Sequence, residues 1–215
     1  MPSAEKRRPY ESPLRREQAA ATRTTILQAA QSLFEERGYA ATSIAAIAKQ
    51  AGVSQGTVYL AFETKAELLR TLWNVLLRGE EDAPPVAQLA RYKEVLSEPN
   101  PSRQLELNAR HAVAAKRRIG ALHEVIRAGA TVDPDVGALW NRIQTEFREN
   151  QRKIVQSIAE KGALKPDLDI ERAADILWTI NHGDLWQHLV VRRGWSADEF
   201  ERWLADTFRT QLLRK

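Results

Sequence analysis

Five residues within a short stretch could together contact a nucleic acid: Ser54, Gln55, Gly56, Thr57 and Tyr59. A glutamine can pair with the edge of an adenine through two hydrogen bonds, and a threonine can bond a base edge or touch a thymine methyl group. A tyrosine hydroxyl suits a phosphate oxygen, a contact that positions a protein on DNA without reading its sequence. Gly56 carries no side chain, so the backbone there can approach closely. The chemistry indicated is recognition of double-stranded DNA.

The residues around this stretch predict two short helices joined by a tight turn. Ile44 and Ile47 belong to an apolar set at helical spacing. Gly52 interrupts that set where a chain leaving a helix can take positive φ at little cost. Ser54 is a favourable N-cap for a second helix over about residues 55–62. The pattern is that of a helix-turn-helix, whose second helix lies in the DNA major groove and presents the polar residues from its first turns.

Three further residues are candidates for contacts with DNA phosphates. Lys65 stands in a capping-box pattern that runs from Thr64 to Glu67 and opens the next helix. A cation at a helix start is unfavourable for the helix dipole, so a nearby phosphate would explain it; a solvated lysine is the alternative. Thr42 and Ser43 begin the preceding helix, where backbone N–H groups and hydroxyls favour phosphate, and capping alone is the alternative.

These residues carry a resemblance to the DNA-binding domain of the tetracycline-repressor (TetR) family over about residues 22–70. The match fixes many positions in order rather than one short pattern. The matching segments are Thr24–Gly38 with Tyr39, Thr42-Ser43-Ile44, Ile47-Ala48, Ala51-Gly52-Val53-Ser54, Gly56-Thr57-Val58-Tyr59, Phe62 and Lys65-Ala66-Glu67-Leu68-Leu69. Ala45-Ala46 and Leu60-Ala61 depart from the polar, basic or aromatic residues common in the family, which implies fewer base contacts and leaves the operator sequence open.

The resemblance implies an all-α fold with a three-helix DNA-binding domain and a larger helical domain for dimerisation and effector binding. It assigns Lys65 a DNA contact and implies a homodimeric regulator, most often a repressor, on a palindromic operator. A small molecule in the second domain would shift the helix over residues 65–79, which both domains share. The two recognition helices would then lose their match to successive major grooves. We expect domain boundaries at 1–21 for a basic arm, 22–68 for DNA binding and 69–215 for the rest.

Composition excludes several other classes of protein. The 215 residues include no cysteine, so there is no disulfide framework, thiol nucleophile or zinc–thiolate site. No apolar run approaches the ~18 residues of a membrane span, and the N-terminus lacks a secretory signal, so we expect a cytoplasmic protein without a membrane partner. No glycine-rich phosphate loop or catalytic set is present, and we expect no enzyme activity and no cofactor. Asp184 and His188 lie at i, i+4, but two ligands alone do not predict a metal site.

Residues 1–21 are predicted to form a flexible basic arm. Up to Thr25 the chain has six basic and three acidic residues, which is +3 of the total net charge of +4. Pro2, Pro9 and Pro13 disfavour a helix through most of this segment. Two interpretations stay open, a contact with phosphates or the minor groove and a disordered solubilising tail.

The sequence after the DNA-binding segment predicts helices and no β-sheet. One helix is expected from Ser102 to about Ile119, a short one over residues 120–128, and two long ones over 134–161 and 169–193. The last of these is apolar on nearly every side, which indicates burial against its own domain and against a second subunit. We therefore expect a homodimer through the two long helices. The basic run over residues 116–118 is expected to be a solvated helix face.

Aromatic and polar residues on the helices after residue 69 predict a pocket for a small aromatic or lipophilic effector. Tryptophan and phenylalanine would supply flat apolar walls, and histidine and asparagine would orient a guest. The candidates are Trp73, His111, Trp140, Phe147, Trp178 and Asn181. The same residues would also make an ordinary core, and in that case the chain would be a DNA-binding regulator without an effector. A helical interaction module that has lost DNA binding is a third alternative.

Overall fold

A computed structural model describes residues 13–214 and contains ten α-helices in that range. Their bounds are α1 (Pro13–Ala41), α2 (Ile44–Ala51), α3 (Gln55–Phe62), α4 (Lys65–Arg78), α5 (Ala90–Ser97), α6 (Pro101–Gly129), α7 (Pro134–Glu160), α8 (Ile170–Ile180), α9 (Gly183–Trp186) and α10 (Ala197–Leu212). Apart from one antiparallel bridge, Leu164 with Leu213, the regular structure in the described range is helical, and the predicted all-α class is confirmed. Within it no helix is both long and apolar enough to cross a membrane.

The first helix begins earlier than predicted. It starts at Pro13, so residues 13–21 of the expected flexible arm are helical, with exposed side chains over residues 14–21. A proline is well tolerated in the first turn of a helix, which is why Pro13 opens the helix instead of excluding it. The rest of the predicted arm, residues 1–12, lies outside the described residues. The helical conformation breaks at Gly38, with φ 76°.

The helix-turn-helix forms as its local signals predict. Gly52 ends α2 in the left-handed conformation with φ 69°, and Ser54 then caps α3 by accepting a hydrogen bond from the Thr57 N–H group. Thr64 caps α4 by accepting from the Glu67 N–H group. In a complete capping box the Glu67 carboxylate would also accept from the Thr64 backbone N–H group. Here that carboxylate pairs with Arg70 instead.

Two predicted boundaries of long helices were wrong. Gly120 does not end the helix that begins near residue 101; α6 runs through it, and a Cβ there would lie only 3.2 Å from Trp186 Nε1. The glycine provides space for the indole. The predicted helix over 169–193 breaks at Asn181 and His182, and after α9 the chain completes a short π-helix over Gln187–Arg192.

The hydrophobic core is continuous across residue 68, where the sequence predicts a boundary between two domains. One cluster joins the helix-turn-helix, including Ile26 and Phe62, to Leu122 and Ile126 of α6 and Val136 of α7. A second cluster holds α6, α7, α8 and α10 together. The C-terminal end of α6 packs so closely on α1 that a Cβ on Gly129 would lie 3.1 Å from the Tyr39 side chain. The DNA-binding helices are therefore fastened to the larger helical part of the chain.

Candidate functional site

The first turns of α3 present a polar surface to solvent. Ser54, Gln55 and Gly56 are exposed, and Tyr59 is 51% exposed. Thr57 is half-buried, and its hydroxyl lies 2.8 Å from the Ser54 hydroxyl. Val58 and Phe62 on the other side of α3 are buried and fix its orientation. The structure thus brings together the residues predicted to read DNA on one exposed helix.

Leu60 also belongs to this surface, which sequence reasoning did not include among the contacting residues. It is 88% exposed, the largest exposure of a large hydrophobic side chain in the described part of the chain. Its position in the sequence indicated this exposure. Val58 and Phe62 are four residues apart and share one face of the helix, and Leu60, two residues from each, lies on the opposite face. An exposed aliphatic side chain beside Tyr59 suits a thymine methyl group in the major groove.

Thr42 and Ser43 differ from each other in their environment. Ser43 is exposed and caps α2 by accepting from the Ala46 N–H group. Thr42 is 1% exposed, and its hydroxyl donates to the carbonyl oxygens of Leu33 and Gly38. The Thr42 hydroxyl is therefore buried against the end of α1, close to the break at Gly38, and it is not accessible for the predicted phosphate contact. Ser43 keeps its accessible position.

Lys65 does not extend freely into solvent. Its ammonium donates to the backbone carbonyls of Tyr39 at 2.9 Å and Thr42 at 3.0 Å, and it lies 3.9 Å from the centre of the Tyr39 ring. Desolvation lowers the pKa of Lys65, and the charge of Asp133 opposes that effect. The Tyr39 hydroxyl in turn donates to Asp133, the N-cap of α7. In this conformation Lys65 joins α4 to the end of α1, and one of its three protons remains for another acceptor.

A cavity of about 250 Å³ lies among α4, α5, α6 and α7, with Asn181, Gly183 and Trp186 completing its wall. Four of the six predicted effector residues line it: Trp73, His111, Phe147 and Asn181. Trp140 and Trp178 do not line it. From α4, the wall includes Asn74, Leu77 and Arg78 as well as Trp73, so the helix that follows the DNA-binding unit forms one side of the cavity.

Trp140 and Trp178 instead pack in an aromatic cluster with His182 and with His123, which itself lines the cavity. The ring of His123 lies 5.0 Å from that of Trp140 and 5.6 Å from that of His182, and Trp178 lies 5.3 Å from His182. Desolvation holds the pKa of both histidines below its ordinary value, which favours the neutral imidazole at pH 7. A Cβ on Gly183 would lie 2.9 Å from the His123 ring, so this cluster is closely packed.

Lys116 was expected on a solvated face, but it is buried in the cavity wall with 8% of its surface exposed. Its ammonium donates to Asn181 Oδ1 at 2.6 Å. The Asn181 and Asn108 amides both donate to Gln151 Oε1, at 3.2 and 3.4 Å. Burial lowers the pKa of Lys116 to about 7. The position of Lys116 on the helix could have indicated its burial, because neighbouring Arg117 is exposed and occupies the outer side of the same turn.

The end of α4 is surrounded by guanidinium groups. Arg91 donates to the Leu77 carbonyl at 2.6 Å, Arg118 to the Leu76 carbonyl at 3.0 Å, and Arg78 to the Ala83 carbonyl at 3.2 Å. Cations at a helix C-terminus are favourable for the helix dipole and satisfy its last carbonyls. These contacts explain part of the positive charge around the cavity without a ligand.

The exposed recognition helix on an all-helical scaffold defines a helix-turn-helix DNA-binding transcriptional regulator. The family described as "Bacterial regulatory proteins, tetR family" matches residues 26–72. The chain is 30% identical over 182 residues to the HTH-type transcriptional regulator TtgR of Pseudomonas putida, a match that covers 82% of this chain and 84% of that protein. The chain belongs to the TetR family.

Solved structures agree with this assignment. NalD, the secondary repressor of the MexAB-OprM multidrug efflux pump in Pseudomonas aeruginosa, is 26% identical with a TM-score of 0.71, over 93% of this chain and 99% of that one. A complex of SmeT with triclosan has the same TM-score of 0.71 at 18% identity, over 91% of this chain and 93% of that one. The second likeness shows the fold alone.

Proposed function

We propose that this protein is a ligand-responsive repressor that binds a palindromic operator as a homodimer and releases it when a small molecule enters the cavity. Residues 22–68 would read the DNA, and the rest would dimerise and bind the effector. The observation that carries the proposal is the position of α4. Its first residue, Lys65, holds the end of α1, and its later residues Trp73 and Arg78 form a wall of the cavity.

The coupling follows from this geometry. A guest that pushes on Trp73 displaces α4, and Lys65 transmits the displacement to the helix-turn-helix through two backbone carbonyls. Half-sites must lie about one helical turn of DNA, ~34–36 Å, or a multiple apart, so a small change in the spacing of two recognition helices lowers affinity. The SmeT complex with triclosan supports small-molecule binding by this fold, and the NalD description supports repression.

The rival hypothesis is a regulator without a small-molecule effector, which would have a fully packed second part. The cavity of about 250 Å³ favours the ligand-responsive alternative. The exposed polar surface of α3 opposes the interaction module that has lost DNA binding.

The test begins by selecting duplexes from a random pool with the full chain, followed by fluorescence anisotropy of the selected duplex during a compound screen. We expect compounds that release the DNA from the wild type. Ala115→Trp fills the cavity, since Ala115 lines it, and should keep DNA binding but lose release. Ala114→Trp, on the exposed side of the same turn, is the matched control and should behave as the wild type.

Each result decides one part of the proposal. If no duplex is enriched, DNA binding is wrong for this chain. If a duplex is bound and compounds still release it from Ala115→Trp as from the wild type, the cavity is not the effector site.

A further inference from the structure

Lys116 is the least expected residue of the cavity wall. It is more than nine-tenths buried, and its ammonium has one hydrogen-bond partner within residues 13–214, the neutral amide oxygen of Asn181. No carboxylate in that range pairs with it, and desolvation alone acts on its pKa. Two of its three protons are therefore left for an acceptor that enters the cavity, whose wall Lys116 helps to form.

A structural role does not account for a lysine at this position. Burying a cation is strongly unfavourable unless it is paired, and a neutral amide oxygen offsets only part of this penalty. A neutral side chain of similar length could also hold the turn at Asn181. The arginines at the end of α4 are different, because the helix dipole and the last carbonyls of α4 stabilise their charge. Lys116 has no such compensation in mid-helix.

The charges around the cavity are strongly one-sided. Among the described residues, five lysine or arginine side chains and a single carboxylate line it: Arg70, Arg78, Arg91, Lys116, Arg142 and Glu146. Arg70 is neutralised by Glu67, which leaves an excess of positive charge in the wall. Such a concave surface with a low-dielectric wall concentrates anions.

The uncharged part of the wall combines apolar and aromatic side chains, among them Trp73, Phe147 and Trp186, with several neutral amides. The size restricts the guest, because a cavity of about 150 Å³ holds one benzene ring, and this one measures about 250 Å³. An apolar body of about two rings would fill it and leave one polar group to meet the buried polar residues.

We propose that the effector is a small organic acid, with an aromatic or alicyclic body against Trp73 and Phe147 and a single carboxylate that binds the Lys116 ammonium. This inference rests on the proposed function and specifies the ligand class of the same cavity. Asn108 and Gln151, which lie beside the lysine, complete the polar end of the site. Binding would supply the counter-ion that Lys116 lacks within residues 13–214.

The experiment measures binding of matched acid and amide pairs by isothermal titration calorimetry. The panel runs from benzoate through 2-naphthoate to biphenyl-4-carboxylate, each beside its primary carboxamide, which has nearly the same shape and no charge. We expect at least one acid to bind the wild type about ten- to a hundredfold more tightly than its amide, the range of a hydrogen bond to a charged group.

Lys116→Met should abolish or reverse the preference for the acid but still bind the carboxamide, because the substitution removes the charge and keeps the length of the side chain. Lys93→Met, which removes an exposed lysine on α5, is the matched control and should keep the wild-type preference. Urea unfolding of each variant shows that it is folded.

The outcomes separate the two proposals. If an amide binds as tightly as its acid and still releases the operator, the cavity is an effector site but the anionic class is wrong. If an acid is preferred equally by Lys116→Met, Lys116 is not the group that binds it. Absence of binding by every acid in the panel contradicts the organic-acid inference, whereas the operator-release screen with Ala115→Trp judges the proposed function independently.

Discussion

Lys116→Met should stabilise the folded protein, because the free energy of unfolding now includes the cost of burying a cation. The pKa of this lysine falls from 10.5 to about 7 on folding. Since each tenfold change in a protonation equilibrium corresponds to about 1.4 kcal/mol, the cost is about 5 kcal/mol below pH 7. The variant loses the hydrogen bond to Asn181 Oδ1, and leaving that oxygen unpaired costs about 1–3 kcal/mol. The removed charge dominates, with a net gain of about 2–4 kcal/mol.

The sign of the pH dependence follows from proton binding. Between about pH 7 and 10.5 the unfolded lysine holds its proton while the folded one has lost it, so the stability of the wild type rises with pH in this window. The advantage of Lys116→Met should therefore be greatest at about pH 6 and smaller by about 2–3 kcal/mol at about pH 9.

The free energy of unfolding is measured by urea unfolding and the melting temperature by thermal unfolding, both followed by tryptophan fluorescence. Protein concentration is held fixed, because the stability of the proposed dimer would depend on it. The melting temperature should rise by about 5–15 °C near neutral pH, since ~1 kcal/mol shifts a chain of this size by about 2–4 °C. Lys93→Met should leave both quantities nearly unchanged. A variant less stable than the wild type at pH 6, or a difference that does not vary with pH, would refute the reasoning.

Three further predictions concern DNA binding and assembly. Gln55→Ala should change sequence preference, whereas Tyr59→Phe should weaken binding to all duplexes about equally, as measured by anisotropy over a panel of single-base variants. Lys65→Ala should weaken binding to all sequences. If the slope of the logarithm of the binding constant against the logarithm of salt concentration falls by about 1, Lys65 contacts a phosphate. If that slope is unchanged, the loss is assigned to the hydrogen bonds of Lys65 with the end of α1. The protein should sediment as a dimer through α7 and α8, and Ile176→Glu, at a half-buried position of α8, should yield monomers; a stable wild-type monomer at micromolar concentration contradicts this interface.

The helix-turn-helix was predictable from sequence because its signals are local. Gly52, Ser54 and Thr64 each act within four residues, through a positive φ or through a side chain that caps the next helix. Such effects depend on residue type and spacing alone. The exposed side of α3 was predicted as well from the polar residues of its first turns, and the buried Val58 and Phe62 lie on the opposite side.

Positions decided by distant contacts were harder to predict. Gly120 has the residue type of a helix end, but its role is to admit the Trp186 indole from a residue far along the chain. Thr42 has the position of a phosphate contact, yet its hydroxyl is satisfied by two carbonyls of α1. The residue types were correctly singled out, and tertiary packing decided their roles.

The cavity was predicted in part for the same reason. Residue type on the helices after residue 69 identified Trp73, Phe147 and Asn181 as cavity candidates. It could not separate cavity from core, and so Trp140 and Trp178 were included. Lys116 was missed because a run of three basic residues resembles a solvent-facing turn. Only the hydrogen bond from Lys116 on α6 to Asn181, the residue that follows α8, shows that one of the three faces inward.

The shared core between the helix-turn-helix and the α6–α7 corner limits how such regulators can be recombined. A chimera cut after α4 would separate Ile26 and Phe62 from Leu122 and Val136, with which they share one apolar cluster. A recipient protein would have to supply an equally fitting surface against Tyr39, where even one extra methyl group on the facing glycine is crowded. New operator specificity is therefore more readily obtained by changing exposed side chains of α3 in place than by grafting the whole DNA-binding unit, and engineering of hybrid sensors from this scaffold should transplant the corner together with the first four helices.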